Sequence, residues 1–178
     1  MPTNLTDAEL LLLGLVAEMP RHGYELEQVI EARGMREWTQ VGFSSIYFVL
    51  GKLEKAGLVA AEVPAGAKAR KTFCITSSGR EVLCEQTIAA LGAYRPTFSS
   101  LLLGMVHWPV LSRDAALDAL EARLPSVVAE LERLERVRRQ RQPMPDHVEV
   151  LFDFSAGQLN AERNWISITL DYMRSKPW

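Results

Sequence analysis

One stretch, Gly42-Phe-Ser-Ser-Ile-Tyr-Phe-Val-Leu-Gly-Lys-Leu-Glu-Lys-Ala-Gly-Leu-Val59, is punctuated firmly enough to constrain what surrounds it. Ser44 or Ser45 can start a helix by accepting a backbone N–H, and Gly57 sits where a left-handed residue would end one. Between those ends Ile46, Val49, Leu50 and Leu53 recur at helical spacing and make one apolar stripe. Ser45, Tyr47, Phe48, Gly51, Lys52 and Lys55 are left for another face, which is small, aromatic and cationic. Hydroxyl and ammonium groups suit phosphate oxygens, and low bulk suits entry into a groove of double-stranded DNA. The candidate contacts on this helix are therefore Ser44, Ser45, Tyr47, Lys52 and Lys55. An amphipathic core helix with two surface lysines would carry the same pattern.

The sequence that follows favours the first reading. Leu58 to Val63 reads as a short strand, Pro64-Ala-Gly-Ala-Lys-Ala-Arg-Lys71 as a basic loop, and Thr72 to Ile75 as a returning strand. A hairpin directly after a capped helix is a wing, and it adds Lys68, Arg70 and Lys71 to the candidate contacts. Residues 44–80 carry six basic side chains against two acidic ones, a net charge of about +4. Residues 1–43 carry three basic side chains against seven acidic ones, about −4. The split predicts a positive half facing DNA and a negative half turned away.

Composition bounds the alternatives. With 178 residues and 48% hydrophobic content the chain can bury a real core in one large domain or two small ones. A formal charge of −2 means that any nucleic-acid contact is a local, salt-sensitive patch. Cys74 and Cys84 are the only cysteines, which points to reduced thiols in a cytoplasm rather than a disulfide scaffold. Asp7 and Glu9 interrupt the N-terminus before any apolar run begins, so no secretory leader is expected. Leu10 to Val16 is too short to span a bilayer, and His107 and Pro109 argue against insertion of Leu101 to Leu111. No membrane partner is expected.

Upstream, Thr6 or Asp7 followed by Glu9 marks a helix start, and Ala8 to Met19 is apolar enough to be buried on most sides. Pro20-Arg-His-Gly23 predicts a turn. Tyr24 to Arg33 reads as a second helix with Leu26, Val29 and Ile30 inward and Gly34 closing it. Trp38, too large to leave in water, is placed as a plug at the junction with the next helix. Three helices followed by a hairpin is the winged helix-turn-helix arrangement, whose third helix enters DNA.

His22-Gly-Tyr-Glu-Leu26, Ser45-Ile-Tyr47 leading into Leu50, Leu53-Glu-Lys-Ala-Gly-Leu58, and Thr72 through Thr76-Ser-Ser-Gly79-Arg80 resemble the PadR family of bacterial transcriptional regulators over roughly residues 8–85. The resemblance implies that the Ser-Ile-Tyr helix is the recognition helix and that its tyrosine sits close to the DNA backbone. It implies phosphate contacts from the wing, so those roles fall on Ser45, Tyr47, Lys52, Lys68, Arg70 and Lys71. Phe48 stands where the family usually has proline, and Gly51 where it often has a basic residue, so sequence preference does not carry over.

Beyond Ser77 the chain reads as wholly helical. Gly79 to Leu91 opens a helix, Arg95 to Val106 can extend it, and Trp108-Pro109 breaks it. Ser112 caps the next, with Asp114 in its first turn. Leu117, Leu120, Leu124, Val127, Leu131 and Leu134 alternate in steps of three and four, a coiled-coil seam. Pro125 is expected to interrupt the ladder and split it in two. Arg136-Val-Arg-Arg-Gln-Arg141 ends the segment with cations that suit a helix C-terminus, a second DNA contact being the sharper alternative. Pro143-Met-Pro145 turns into a last helix over about His147 to Arg174, with Val148, Leu151, Phe152, Leu159, Trp165, Ile166, Ile168 and Tyr172 available for burial.

So apolar a tail predicts a homodimer, as the resemblance also implies, with two recognition helices meeting half-sites ~34 Å apart on a near-palindromic operator. The family includes regulators that release DNA on binding a small aromatic effector. By that likeness Phe98, His107, Trp108, Phe152 and Trp165 are the effector-site candidates, with Phe154 beside them.

The expected fold is mainly α, a winged helix-turn-helix (three helices plus a two-stranded wing) over residues 1–80 and an all-helical dimerisation domain over residues 81–178. No enzyme is expected. His22, His107 and His147 are scattered, none at metal-ligand spacing, and no glycine-rich phosphate loop follows a strand, so neither metal nor cofactor is implied. The expected function is a cytoplasmic DNA-binding regulator, a repressor released by an effector. The alternative is a winged helix that binds only another protein.

Overall fold

In the computed structural model, which describes residues 4–37, 39, 42–62, 71–94, 96 and 99–176, the first helix, α1 (Asp7–Glu18), opens on a capping box. The Glu9 amide donates to the Thr6 hydroxyl at 3.3 Å, and the Thr6 amide donates back to the Glu9 carboxylate at 2.8 Å. Leu12, Leu13, Leu15 and Val16 of α1 are buried, as its apolar run requires.

Arg21–His22 forms a two-residue strand, β1, where the sequence predicted only a turn. Pairing fixes it: Arg21 lies opposite Phe73 and His22 opposite Thr72. The buried Arg21 side chain donates to the Leu15 carbonyl in the last turn of α1 and to Glu18, which places a cation at a helix C-terminus. α2 (Gly23–Ala32) starts at His22, whose Nδ1 accepts the Glu25 amide at 3.1 Å, and Gly34 follows it in the left-handed region at φ 62°. A 3-10 turn spans Met35–Glu37, and Trp38 lies outside the described residues.

α3 (Phe43–Lys55) leads into β2 (Val59–Glu62) and β3 (Thr72–Ile75), antiparallel with Val59 opposite Ile75 and Glu62 opposite Thr72. The sheet therefore has three strands in the order β1-β3-β2, so β1 adds to the expected two-stranded wing. α4 (Ser77–Gly92) is capped by the Thr76 hydroxyl, which accepts the Gly79 amide at 2.9 Å and donates to the Gly57 carbonyl at 2.7 Å. Leu12, Leu26, Ile30, Ile46, Leu50, Leu53 and Phe73 share one core, with Val82 and Leu83 of α4 against it. These elements belong to a compact unit spanning Met1–Pro96, and Thr97–Trp178 forms a second. The expected 80/81 boundary falls inside α4.

The second unit holds α5 (Ser100–His107), a 3-10 turn over Trp108–Val110, α6 (Arg113–Gln140) and α7 (Asp146–Ser175). α4 and α5 are separate helices rather than one. Ser112 caps α6 as expected, its hydroxyl accepting the Ala115 amide at 3.2 Å. α6 runs unbroken through Pro125, contrary to the expected split. The proline is on the exposed side, where water can satisfy the released carbonyl, while Leu124 and Val127 are held on the other side.

α6 and α7 lie antiparallel. Arg113 near the start of α6 donates to the Met173 carbonyl at 2.7 Å near the end of α7, and Arg138 near the end of α6 meets Glu149 at 2.8 Å and Asp153 at 2.9 Å. Ala116, Leu120 and Val127 pack with Ile166, Leu170 and Met173. Leu117, Leu120, Leu124 and Val127 of the leucine seam are thus used within the chain, by α7, and the spacing does not by itself call for a second copy. No helix among the described residues is long and apolar enough to cross a membrane.

Candidate nucleic-acid interface

α3 is built as its spacing predicts, with Ile46, Val49, Leu50 and Leu53 buried. Its C-terminus closes as a Schellman motif: Leu58 N–H donates to the Leu53 carbonyl and Gly57 N–H to the Glu54 carbonyl, both at 2.9 Å. Gly57 sits at φ 70°, which only glycine adopts at little cost. The N-terminus differs from expectation. Gly42 is the cap, with no side-chain hydrogen bond, and the helix begins at Phe43, so neither Ser44 nor Ser45 caps it. The Ser45 amide instead donates to the Gly42 carbonyl at 3.1 Å, and glycine is tolerated at such a position. The Ser44 side chain lies outside the described residues, as do Lys68 and Arg70.

Tyr47 is 54% exposed and Phe48 66%, so the aromatic part of the outer face is open. Lys55 is exposed as well. Lys52 is exposed but engaged: its Nζ stands 3.4 Å from Glu9 and 5.2 Å from the Phe48 ring centre. Burial pushes the Glu9 carboxyl up, but the Thr6 amide, the Thr6 hydroxyl and Lys52 together outweigh it and hold Glu9 below its ordinary range. The predicted division into a positive front and a negative back is therefore incomplete, because Glu9 from the acidic segment lies beside α3. Lys71 is likewise paired, 2.7 Å from Glu54, with its Nζ 5.2 Å from the Phe73 ring centre.

The Tyr47 ring lies against Gly23. A Cβ added there would stand 2.5 Å from Cε1 and 2.8 Å from Cζ of the ring, so a side chain at 23 would push Tyr47 away. His22 and Tyr24 stack beside it, ring centres 6.3 Å apart at 26°. With Lys71 and Phe73 these residues wall an open cleft of about 400 Å³. His22 and Phe73 have no place among the sequence candidates, nor has Tyr24. The signal that points to them is the His22-Gly23-Tyr24 sequence at a helix start, a glycine between two rings where backbone must come close to an aromatic.

Residues 12–85, which hold all of these elements except the start of α1, match the transcriptional regulator PadR-like family. The match lies within the winged unit, which is similar in sequence to that family. PadR-like proteins are transcriptional regulators, not enzymes. Solved structures similar to the chain include Bacillus subtilis PadR in complex with operator DNA, at 21% identity and TM-score 0.76, covering 93% of this chain and 98% of that one. The same protein in complex with p-coumaric acid matches at 20% identity and TM-score 0.76, over 93% of this chain and 98% of that one. The PadR-like regulator BC1756 from Bacillus cereus matches at 19% identity and TM-score 0.68, over 96% and 100% of the two chains. A curated relative, an uncharacterized 37.1 kDa protein in transposon TN4556 of Streptomyces fradiae, is 34% identical over 134 residues, 69% of this chain. The chain spans 36% of that relative's length.

Among the described residues only two of the effector candidates come together within one copy. Trp108 and Trp165 pack against the same core of the second unit, and His107 is exposed. Phe152 is buried thirteen residues before Trp165 on α7, roughly 20 Å away at 1.5 Å per residue. Phe154 is exposed, and Phe98 lies outside the described residues. Cys74 and Cys84 are free; burial, then the nearby Glu62 carboxylate, pushes the Cys74 thiol up, away from a reactive thiolate. His22 serves as a helix cap, and among the described residues no acidic, His and Cys group is placed to hold a metal.

Proposed function

We propose that this PadR-like chain is a cytoplasmic transcriptional repressor that binds a near-palindromic DNA operator as a homodimer and releases it when a small aromatic effector binds. The observation that carries the reading is the outer face of α3, where Tyr47, Phe48, Lys52 and Lys55 are exposed on a helix fixed from behind by the core. Bacillus subtilis PadR, whose fold this chain shares, is known in complex with operator DNA. Repression follows from a bound dimer occluding polymerase.

The dimer is supported by α5, none of whose residues is buried although Leu102, Leu103 and Val106 face outward. An eight-residue helix is below the ~12–15 residues needed for marginal stability alone, so it calls for a covering surface. The effector is supported by Bacillus subtilis PadR in complex with p-coumaric acid and by the aromatic pair Trp108 and Trp165 on one core.

Fluorescence anisotropy with the duplex immediately upstream of the chain's own coding sequence tests the reading. Binding should weaken steeply with added salt and fall on Tyr47→Ala and Lys52→Ala. Binding indifferent to both variants would place the interface elsewhere, and no binding to any duplex would leave a winged helix that meets only proteins. Titration with p-coumaric acid should quench tryptophan emission and release the duplex; an unchanged complex would remove that effector class.

A further inference from the structure

We propose that the cleft walled by His22, Tyr24, Tyr47 and Phe73 is a subsite for one phosphodiester of the DNA backbone, and that Glu54 is its resident counter-ion, holding Lys71 until a phosphate replaces it. The inference rests on the DNA reading above and goes beyond it in naming a residue that opposes binding.

Three observations meet here. Among the described residues the cleft is lined by three aromatic side chains, one imidazole and one ammonium, and the carboxylates of Glu25 and Glu54 stand behind the last two. Aromatic walls suit the apolar face of a deoxyribose, and the ammonium suits the phosphate it carries. His22 supplies a directed donor: Nδ1 accepts the Glu25 amide at 3.1 Å, so in the neutral ring the proton is on Nε2, which stands 3.5 Å from the half-exposed Glu25 carboxylate and can exchange that neighbour for a phosphate. Finally, Lys71 is already occupied. Its Nζ is 2.7 Å from Glu54 Oε2, and the two side chains are 45% and 36% exposed. An ion pair this solvated is weakly held and exchanges readily for a charge-assisted bond to phosphate.

The exchange has a thermodynamic signature. A lysine that neutralises a phosphate normally releases a condensed cation, and each such contact adds about 0.9 to the slope of log K against log salt. When Lys71 leaves Glu54 for the DNA, the stranded carboxylate beside a polyanion takes up a cation, and the release is largely cancelled. Removing the carboxylate restores it.

The test compares the full-length chain with Glu54→Gln on the upstream duplex and on a random-sequence duplex of equal length, across a salt series. Glu54→Gln should bind both duplexes about 1.5- to 5-fold more tightly per protomer at low salt, with a slope steeper by about 0.9 per subsite. Lys71→Ala should cost more in the Glu54→Gln background than in the parent, because only there is the ammonium unengaged beforehand. Glu54→Ala should repeat both results without a side chain able to hydrogen-bond Lys71. Unchanged affinity and slope in both Glu54 variants, or an equal cost of Lys71→Ala in both backgrounds, would overturn the proposal while leaving the DNA reading standing. A parent chain that binds neither duplex would overturn both.

Discussion

Gly23→Ala separates the recognition surface from the fold. The added Cβ would meet Tyr47 Cε1 at 2.5 Å and its hydroxyl oxygen at 3.1 Å, and ordinary contact at about 3.5–4.0 Å requires the ring to move by roughly 1 Å. The ring is more than half exposed, so it can swing outward without opening the core. Gly23 is the first residue of α2 and has no positive φ, so alanine fits its backbone and stabilises by about 0.4–1 kcal/mol through the unfolded chain. Lost ring packing offsets part of this. The net change should lie within about 1 kcal/mol, a melting shift below about 8 °C for a unit of this size. DNA affinity should behave differently. A displaced phenol forfeits one hydrogen bond to the backbone, about 0.5–1.5 kcal/mol per protomer, or roughly 5- to 160-fold for two half-sites. Calorimetry and anisotropy on the same preparation read both quantities. Tyr47→Phe should reproduce the affinity loss, and Gly23→Ala added to it should do little more. A melting loss above about 2 kcal/mol, or full affinity in Gly23→Ala, would refute the assignment of Gly23 as a seat for Tyr47.

Gly79→Ala should have the opposite profile: its Cβ would overlap the Leu58 backbone carbonyl, which cannot swing away, and would disturb the Thr76 cap, for a loss of about 2–4 kcal/mol by thermal melt. Ile166→Ala removes a fully buried side chain from the second core and should cost about 2–5 kcal/mol, read by denaturant titration as loss of α6–α7 helicity. The Arg33 guanidinium bonded to Glu18, with Arg21 adding to it, outweighs burial and holds that carboxyl below 4.5. A depressed folded value contributes stability that is present above the ordinary one and lost as pH falls through the folded one, so Glu18→Gln should flatten the acid limb of the stability profile, below the ordinary glutamate range. A profile parallel to the parent's would refute that pairing.

What was legible in the sequence, and what was not, follows from the range of the forces involved. The ends of α1, α2 and α3 were marked by Thr6 with Glu9, by Gly34 and by Gly57, because caps and left-handed glycines act within one turn. The buried stripe of α3 was legible for the same reason, helical periodicity being local. β1 was missed because two residues carry no alternation, and only Phe73 and Thr72, some fifty positions away, make them a strand. Pro125 reads as a breaker from its own chemistry, whereas α7 holds the helix on both sides of it. The leucine seam of α6 was real, but spacing does not distinguish a partner in another copy from a partner one turn downstream. The candidate interface shows the same limit. The exposure of Tyr47 was readable, but Glu9 and Glu54 are brought to Lys52 and Lys71 only by folding.

With the first four seam positions packed on α7, a second copy would cover the faces that α7 leaves open. α5 is the sharpest case: its sequence Ser-Leu-Leu-Leu-Gly-Met-Val-His is apolar, yet Leu103 is 64% and Val106 71% exposed. Val110, just beyond it, is exposed too. An exposed apolar patch of this kind suits the second copy proposed above. Covering a Leu or Val fully is worth about 1.5–3 kcal/mol, so Leu103 and Val106 from two protomers set an upper bound near 6–12 kcal/mol. Leu103→Glu with Val106→Glu should therefore raise the dissociation constant by at least a thousandfold, about 4 kcal/mol. Each protomer should stay folded, because neither side chain is packed within its own chain. Sedimentation over a concentration series reads the shift, with circular dichroism confirming helicity. A parent chain that stays monomeric throughout, or a doubly substituted chain that associates as tightly as the parent, would show that α5 is not the covered surface, and the two half-sites would then need another way to be held in register.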